Sequence, residues 1–336
     1  MTDNVSVVLA ARPRGNPQPD DFALATTPLP EPGPGQALIR NHYISLDAGF
    51  RNWMDEDSGD NVLPAMALGA PVMGLTIGEV LASDLPALPP GQFLLGRLAW
   101  QLYSVTDGSD FLVPLPEQRE CPLSYYLGVL GDTGLSAYFG LTDIGRPQPG
   151  ETVLVSAAGG AVGSVAGQIA RRMGARAVGI AGGREKCARL IGELGYAAAV
   201  DHRQGDALPA ALADACPEGI DVYFDNVGGP LLETVLDHIN DGARIVLCGA
   251  VASYGRPQPG PSNLFQLVTR QATMRGFLTH TQAHRYPEAR AELTRWIQAG
   301  DIVAPEYLLE GIDQVGRAFS DLFAGRNFGK TVVKLY

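Results

Sequence analysis

The sequence predicts an α/β chain: a β-rich N-terminal part, then a parallel sheet with helical crossovers, then a short tail. Two textures predict this. Residues 1 to about 120 are punctuated by Pro and Gly, as in TTPLPEPGPGQALIR, LGAPVMGLTIGEV and PALPPGQFLLG, with short β-rich runs between them. From about residue 125, apolar runs alternate with helical periodicities, the pattern of βαβ units. A Gly-rich turn where the first such run meets the first such helix is the third observation.

In the first part, QALIRNHYISL and IGEVLAS read as strands, and EPGPG between strands reads as a hairpin or loop connection. In the second part, TVLVSAA (152–158) reads as a buried strand. The following VGSVAGQIARRMG sets Val162, Val165, Ala166, Ile169, Ala170 and Met173 on one helical face. ARAVGIAG is a second strand, and EKCARLIGELG a helix stopped by Gly195. AAAVDH, GIDVYFDNVGG and GARIVLCGA supply a third, fourth and fifth strand, and TMRGFL a sixth. PLLETVLDHIN, with Pro230 in its first turn, is the helix before the fifth. An amphipathic helix falls near 286–299, and the chain closes on a strand in NFGKTVVKLY.

A chain of 336 residues has room for about two domains, with enough core to need no disulfide or metal staple. A net charge of -11 argues against nucleic acid and anionic membranes as partners, since both want a cationic face. No apolar run approaches the roughly 20 residues of a membrane span. The start, MTDNVSVVLAARPRG, lacks a signal-peptide h-region. Cys121, Cys187, Cys216 and Cys248 are scattered, which fits a reducing compartment; a cytoplasmic protein is expected.

The turn after the first strand, Ala157 to Gly163, reads A-x-x-G-x-x-G, with Ala157 in place of the first glycine of the dinucleotide fingerprint. Gly160 would let the backbone approach a pyrophosphate, and Gly163 would let the helix pack on the strand. The helix start, with Ala161 and Val162, offers N–H groups and a positive dipole end. The tip of the second strand, in GIAGGREK, has two glycines where an acid would meet a ribose 2′-OH. Gly182 and Gly183 leave room there, and Arg184 and Lys186 can pair with a phosphate. Glu185 is the one acid that contests this reading. The chain is therefore expected to prefer NADP(H) over NAD(H).

No metal site is expected: no grouped cysteines and no His-Glu pair occur, and His280 and His284 lack a third ligand. A lone His42 in a β-rich run reads as structural. A nicotinamide without a metal means hydride transfer, in which the cofactor carries the reactive bond.

The segments GDTGLSAYFGLTDIGRPQPGETVLVSAAGGAVGSVAGQIARRMG, AGGREK, YFDNVGG, CGAVASYG and NFGKTVVK follow one another in register. With them the whole chain resembles the zinc-free branch of the medium-chain dehydrogenase/reductases, and within it the NADPH-dependent alkenal/enone double-bond reductases. The resemblance implies a GroES-like β-rich domain (1–125, completed by 295–336) and a Rossmann doubly wound domain (126–294), with the active site in the cleft. It implies Gly160, Ala161, Val162 and Gly163 at the pyrophosphate and Lys186 at the 2′-phosphate. His202 stands where the family has a Tyr near that phosphate. Further cofactor contacts are implied for Asn226, for Cys248, Gly249, Ala250, Val251, Ala252, Ser253 and Tyr254, for Phe277, Leu278 and Thr279, and for Asn327.

Tyr254 matches the tyrosine near the substrate carbonyl, where a phenol can donate to an oxygen gaining charge. The alternative is a loop tyrosine that packs on the cofactor without touching substrate. Two departures bear on substrate. Asp47-Ala48-Gly49-Phe50-Arg51 stands where relatives read DPYMR, so Gly49 replaces a pocket tyrosine. Gly131-Asp132-Thr133-Gly134 stands for GMPG. The expected activity is reduction of the C=C bond of α,β-unsaturated aldehydes or ketones. A quinone reductase and a weakly catalytic NADPH-binding protein are the other readings, and a homodimer is the expected assembly.

Overall fold

The computed structural model describes residues 3–60 and 63–336, which form two compact units. One unit runs to Leu127 and takes back Glu306–Arg326 and Thr331–Tyr336; the other is Gly128–Pro305 with Asn327–Lys330.

The first unit is β-rich. Asp3–Leu9 and Phe22–Pro28 form an antiparallel pair with Val5 opposite Thr26. A seven-stranded sheet runs Glu306–Glu310, Lys330–Lys334, Ala37–Ser45, Leu75–Ser83, Phe93–Arg97 and Leu112–Pro114, and Tyr103–Thr106 also pairs with Ala37–Ser45. EPGPG is therefore a connection between two sheets and not a hairpin, because the strands on either side of it pair elsewhere. The core gathers round Trp100, which is fully buried and meets Phe22 and Phe319 at ring distances of 5.7 and 5.2 Å. His42 is half-buried, hydrogen-bonded to Glu79 at 3.2 Å and packed on Phe93, a structural position.

The second unit holds a six-stranded parallel sheet. In chain order its strands are Thr152–Val155, Arg176–Ala181, Ala198–Asp201, Ile220–Asp225, Ile239–Leu247 and Thr273–Gly276; in space they lie third, second, first, fourth, fifth, sixth. Helices Gly163–Arg172, Arg184–Leu194, Leu208–Ala215, Gly229–Leu236 and Phe265–Thr269 lie between successive strands. This is the doubly wound Rossmann order, which opens a crevice at the carboxyl ends of the first and fourth strands, where the winding reverses. All four residues of the first strand are buried, as a central strand covered on both faces requires. Leu154, Val178, Tyr223, Val235 and Ile245 knit the strands to the helices in one apolar core.

Two strands end differently from expectation. The first stops at Val155, because Ala157 adopts a left-handed conformation (φ 46°) and turns the chain out of the sheet. The fifth starts at Ile239 and stops at Leu247, since the N–H groups of Cys248 and Gly249 both turn to the Asp225 carbonyl. Residues 248–254 thereby leave the sheet as a loop that contains a 3₁₀ turn at Val251–Ser253.

Candidate active site

The first functional feature is the turn from Ser156 to Gly163. A Cβ on Gly163 would lie 2.4 Å from the Ala157 carbonyl oxygen, so only glycine lets the helix start this close to the strand. Gly160 donates to Ala157 O at 2.8 Å, closing the turn. Gly160 bridges to Gly329 in parallel, which turns the Ala161 N–H toward Gly329 O, while among the described residues the N–H groups of Val162 and Gly163 have no backbone partner. Two outward donors at the start of a ten-residue helix suit a pyrophosphate. Ala157 holds the left-handed conformation that the fingerprint's first glycine would supply, at a cost of about 1 kcal/mol.

At the end of the second strand, basic groups collect. The Lys186 stem passes 3.7 Å from the position of a Cβ on Gly159, so it runs along the phosphate turn. Burial, and then the charges of Arg203 and Arg189, hold its ammonium below the usual lysine range. Arg184 is exposed. Glu185 is exposed too, and its field acts on Arg189 and is not among the influences on Lys186. Arg189 is already engaged: it pairs with Glu193 at 2.7 Å and lies 3.8 Å over the Phe328 ring. His202 and Arg203 converge on Gly182 from the tip of the third strand. Asp201 accepts from the N–H groups of Gly183 (2.8 Å) and Arg203 (3.0 Å). Local positive charge in a chain of net charge -11 marks a place for an anion.

The third feature is a pair of interlocked loops after the fourth and fifth strands. Asp225, 1% exposed, accepts from Tyr223 Oη (2.8 Å), Ser156 Oγ (3.0 Å), and the N–H groups of Val227 (2.9 Å) and Gly228 (3.0 Å). Asn226 is held to the first strand's end, its N–H donating to Ser156 Oγ and its Nδ2 to Ser156 O at 2.7 Å. The second loop is laced to the first by Val251 N to Asn226 O and Ala252 N to Val227 O. Every residue from Cys248 to Tyr254 is half-buried. Burial pushes the Cys248 thiol up to about 12, so it stays neutral. The Tyr254 hydroxyl oxygen accepts from the Ala250 N–H at 3.1 Å, and its proton is left free to point elsewhere. Burial raises its pKa above the usual tyrosine value, so it too stays protonated.

The remaining expected contacts divide. Thr279 is buried, its hydroxyl 2.5 Å from that of Ser136; Phe277 packs on the helix at Gly140; Leu278 is exposed. Asn327 is buried, with Nδ2 donating to Gly329 O, and Gly329 N–H in turn donates to Gly159 O. His280 and His284 are both exposed, on a 3₁₀ segment whose backbone departs from helical at Gln282. Sequence reasoning missed Ser156, Asp225 and Arg203. Asp225 and Arg203 were visible only as an acid and a base at strand tips, and their side-chain directions come from the turns that follow.

Comparison with known proteins places this geometry. Residues 6–113 match the family described as the N-terminal domain of oxidoreductase, and residues 161–295 the family described as zinc-binding dehydrogenase. The chain is 42% identical to a putative NADP-dependent oxidoreductase, YfmJ, of Bacillus subtilis, covering 98% of this chain and 97% of that protein. It is 39% identical to the NADPH-dependent curcumin reductase of Escherichia coli (98% and 96% covered) and 36% to a 2-alkenal reductase (NADP(+)-dependent) of Nicotiana tabacum (98% and 97%). The crystal structure of CurA in complex with NADPH from Vibrio vulnificus matches with a TM-score of 0.91 at 38% identity, over 99% of both chains. The residues do not fit the zinc of the second family's description: among the described residues no group of three or more His, Cys, Asp or Glu could hold a metal ion. With a dinucleotide crevice, a cationic second-strand tip and relatives matched end to end, the chain belongs to the NADP(H)-dependent alkenal/enone reductase branch of the medium-chain dehydrogenase/reductases.

Proposed function

We propose that this protein reduces the carbon–carbon double bond of α,β-unsaturated aldehydes and ketones, using NADPH. The observation that carries the reading is the Tyr254 hydroxyl: half-buried, kept protonated by burial, and with its oxygen accepting from Ala250 N–H so that its own proton remains to donate. The bound cofactor supplies a hydride for the β-carbon. Tyr254 donates to the carbonyl oxygen, which gains charge as the enolate forms, and a proton from water, direct or relayed, then completes the α-carbon. The turn from Gly160 to Gly163, with the Val162 and Gly163 N–H groups, orients the pyrophosphate, Lys186 and His202 face the 2′-phosphate, and the 226 and 248–254 loops hold the nicotinamide end together with Phe277, Leu278, Thr279 and Asn327.

Following nicotinamide absorbance with NADPH and a medium-chain 2-alkenal tests this. Turnover on alkenals or enones is the expected result; none on either, or faster turnover on quinones, overturns it.

The assembly we propose is a homodimer. Its support is the sixth strand, an open sheet edge, beside the exposed side chains of Leu264, Phe265 and Val268. Four free cysteines fit a cytoplasmic location, and among the described residues no helix is long and apolar enough to cross a membrane.

A further inference from the structure

Two basic side chains close over the second strand's glycines from the third strand's tip. A Cβ on Gly182 would stand 2.8 Å from His202 Nε2, 3.2 Å from Arg203 Nε and 3.3 Å from Arg203 Nη2; one on Gly183 would stand 3.2 Å from Arg203 Nη1. The guanidinium thus lies flat along the Gly182–Gly183 turn, beside the imidazole. Among the described residues it makes no hydrogen bond or ion pair, although Asp201 is two residues away. Asp201 instead spends one carboxylate oxygen, Oδ1, on the backbone N–H groups of Gly183 and Arg203. An exposed planar donor fork thus lies beside Lys186 and His202, feeling the Asp201 charge but with no carboxylate hydrogen-bonded to it among the described residues. Such a fork matches a phosphate monoester better than a point charge does.

We propose that Arg203, acting with His202, is a specificity-determining residue that recognises the 2′-phosphate of NADP(H), and that recognition is proton-linked through the imidazole. The inference rests on the cofactor reading above and adds to it a residue and a regulation. The groups facing His202 are Asp201, Arg203 and Lys186. Burial holds the imidazole below its usual range, Asp201 opposes this, and the two cations add to it. A dianion set among these cations reverses their effect, so NADPH binding draws a proton onto His202 and its affinity falls as pH rises through neutrality. The ligand phosphate titrates near pH 6 in the opposite sense, since its dianion binds better. The two trends separate only against a variant without the imidazole.

The test is calorimetric titration of the full-length protein with NADPH and with NADH between pH 6 and 8. Proteins compared are wild type, Arg203→Gln, Arg203→Lys and His202→Gln. Arg203→Gln is expected to weaken NADPH about ten- to hundredfold, the range of a charged hydrogen bond, with NADH changed less than about twofold. Arg203→Lys should fall between. When two buffers of different ionisation heat are compared, wild type should take up more protons on binding NADPH than His202→Gln does, with no such difference for NADH. An NADPH preference that survives Arg203→Gln intact, or proton exchange with NADPH that is the same in wild type and His202→Gln, overturns this inference alone. A wild type that holds NADH as tightly as NADPH overturns the cofactor reading and this inference with it.

Discussion

The backbone N–H of Ala250 donates to the hydroxyl oxygen of Tyr254 across 3.1 Å, closing the 250–254 loop on itself. The bond aims the phenol and leaves its proton for a second partner. Tyr254→Phe therefore removes two things: the hydroxyl donor and the acceptor for Ala250. We expect kcat to fall about 10²-fold, the effect of deleting one oxyanion donor, with NADPH affinity nearly unchanged. Stability should fall by about 1 kcal/mol from the unpaired N–H. Because burial raises the hydroxyl above the ordinary tyrosine value of 10.0, the wild-type rate should show no tyrosine titration below pH 10. A pH–rate profile and steady-state kinetics check both points.

Lys186 lies along the phosphate turn, and its ammonium is held low by burial and by Arg203 and Arg189. Lys186→Ala should weaken NADPH by about 1.5 to 3 kcal/mol and leave NADH nearly unaffected. Fluorescence titration with both cofactors measures the difference, and equal losses would separate Lys186 from the phosphate.

Asp225 receives four donors and is fully buried. In Asp225→Asn an amide NH₂ would face some of those donors. Denaturant unfolding should show a loss of about 2 to 3 kcal/mol. NADPH affinity should fall as well, because Asn226 and the 248–254 loop take their places from this carboxylate and the Asp225 carbonyl.

A Cβ on Gly49 would meet nothing within 4 Å. A side chain can therefore start at this position without a clash at its Cβ, and Gly49→Tyr is expected to fold. If Gly49 opens the substrate pocket, the variant should raise KM for bulky enones more than for short alkenals. A substrate panel measured alongside thermal unfolding separates a pocket effect from a folding effect.

Phe265 and Val268 are 70% and 66% exposed beside the open sixth strand. Sedimentation should find wild type as a dimer, and Phe265→Glu with Val268→Glu as a monomer. A monomeric wild type would remove the proposed assembly.

Much of the sheet was legible because parallel strands write themselves as continuous apolar runs: TVLV and VYFD could lie nowhere but in a core covered on both faces. The phosphate turn was legible because Gly163 answers a steric demand that no other residue can meet. Strand ends were less so. Ala157 hid a left-handed turn under a residue that ordinarily avoids one, and the first strand was read three residues too long. Arg203 escaped notice for a related reason. Its neighbour His202 was found by likeness, but a guanidinium's direction depends on the turn after Asp201, which spacing does not encode.

The hydrogen bond from Gly329 to Gly159 has a practical corollary. Gly329 takes a positive φ of 78°, and a Cβ there would come within 1.9 Å of the Pro305 carbonyl oxygen, so this crossing tolerates no side chain. The nucleotide-binding half is consequently not a contiguous stretch of chain. An excised fragment ending at Pro305 would keep all six parallel strands yet leave its glycine loop unbuttressed. Anyone seeking a minimal cofactor-binding piece should expect to graft residues 327–330 back onto it.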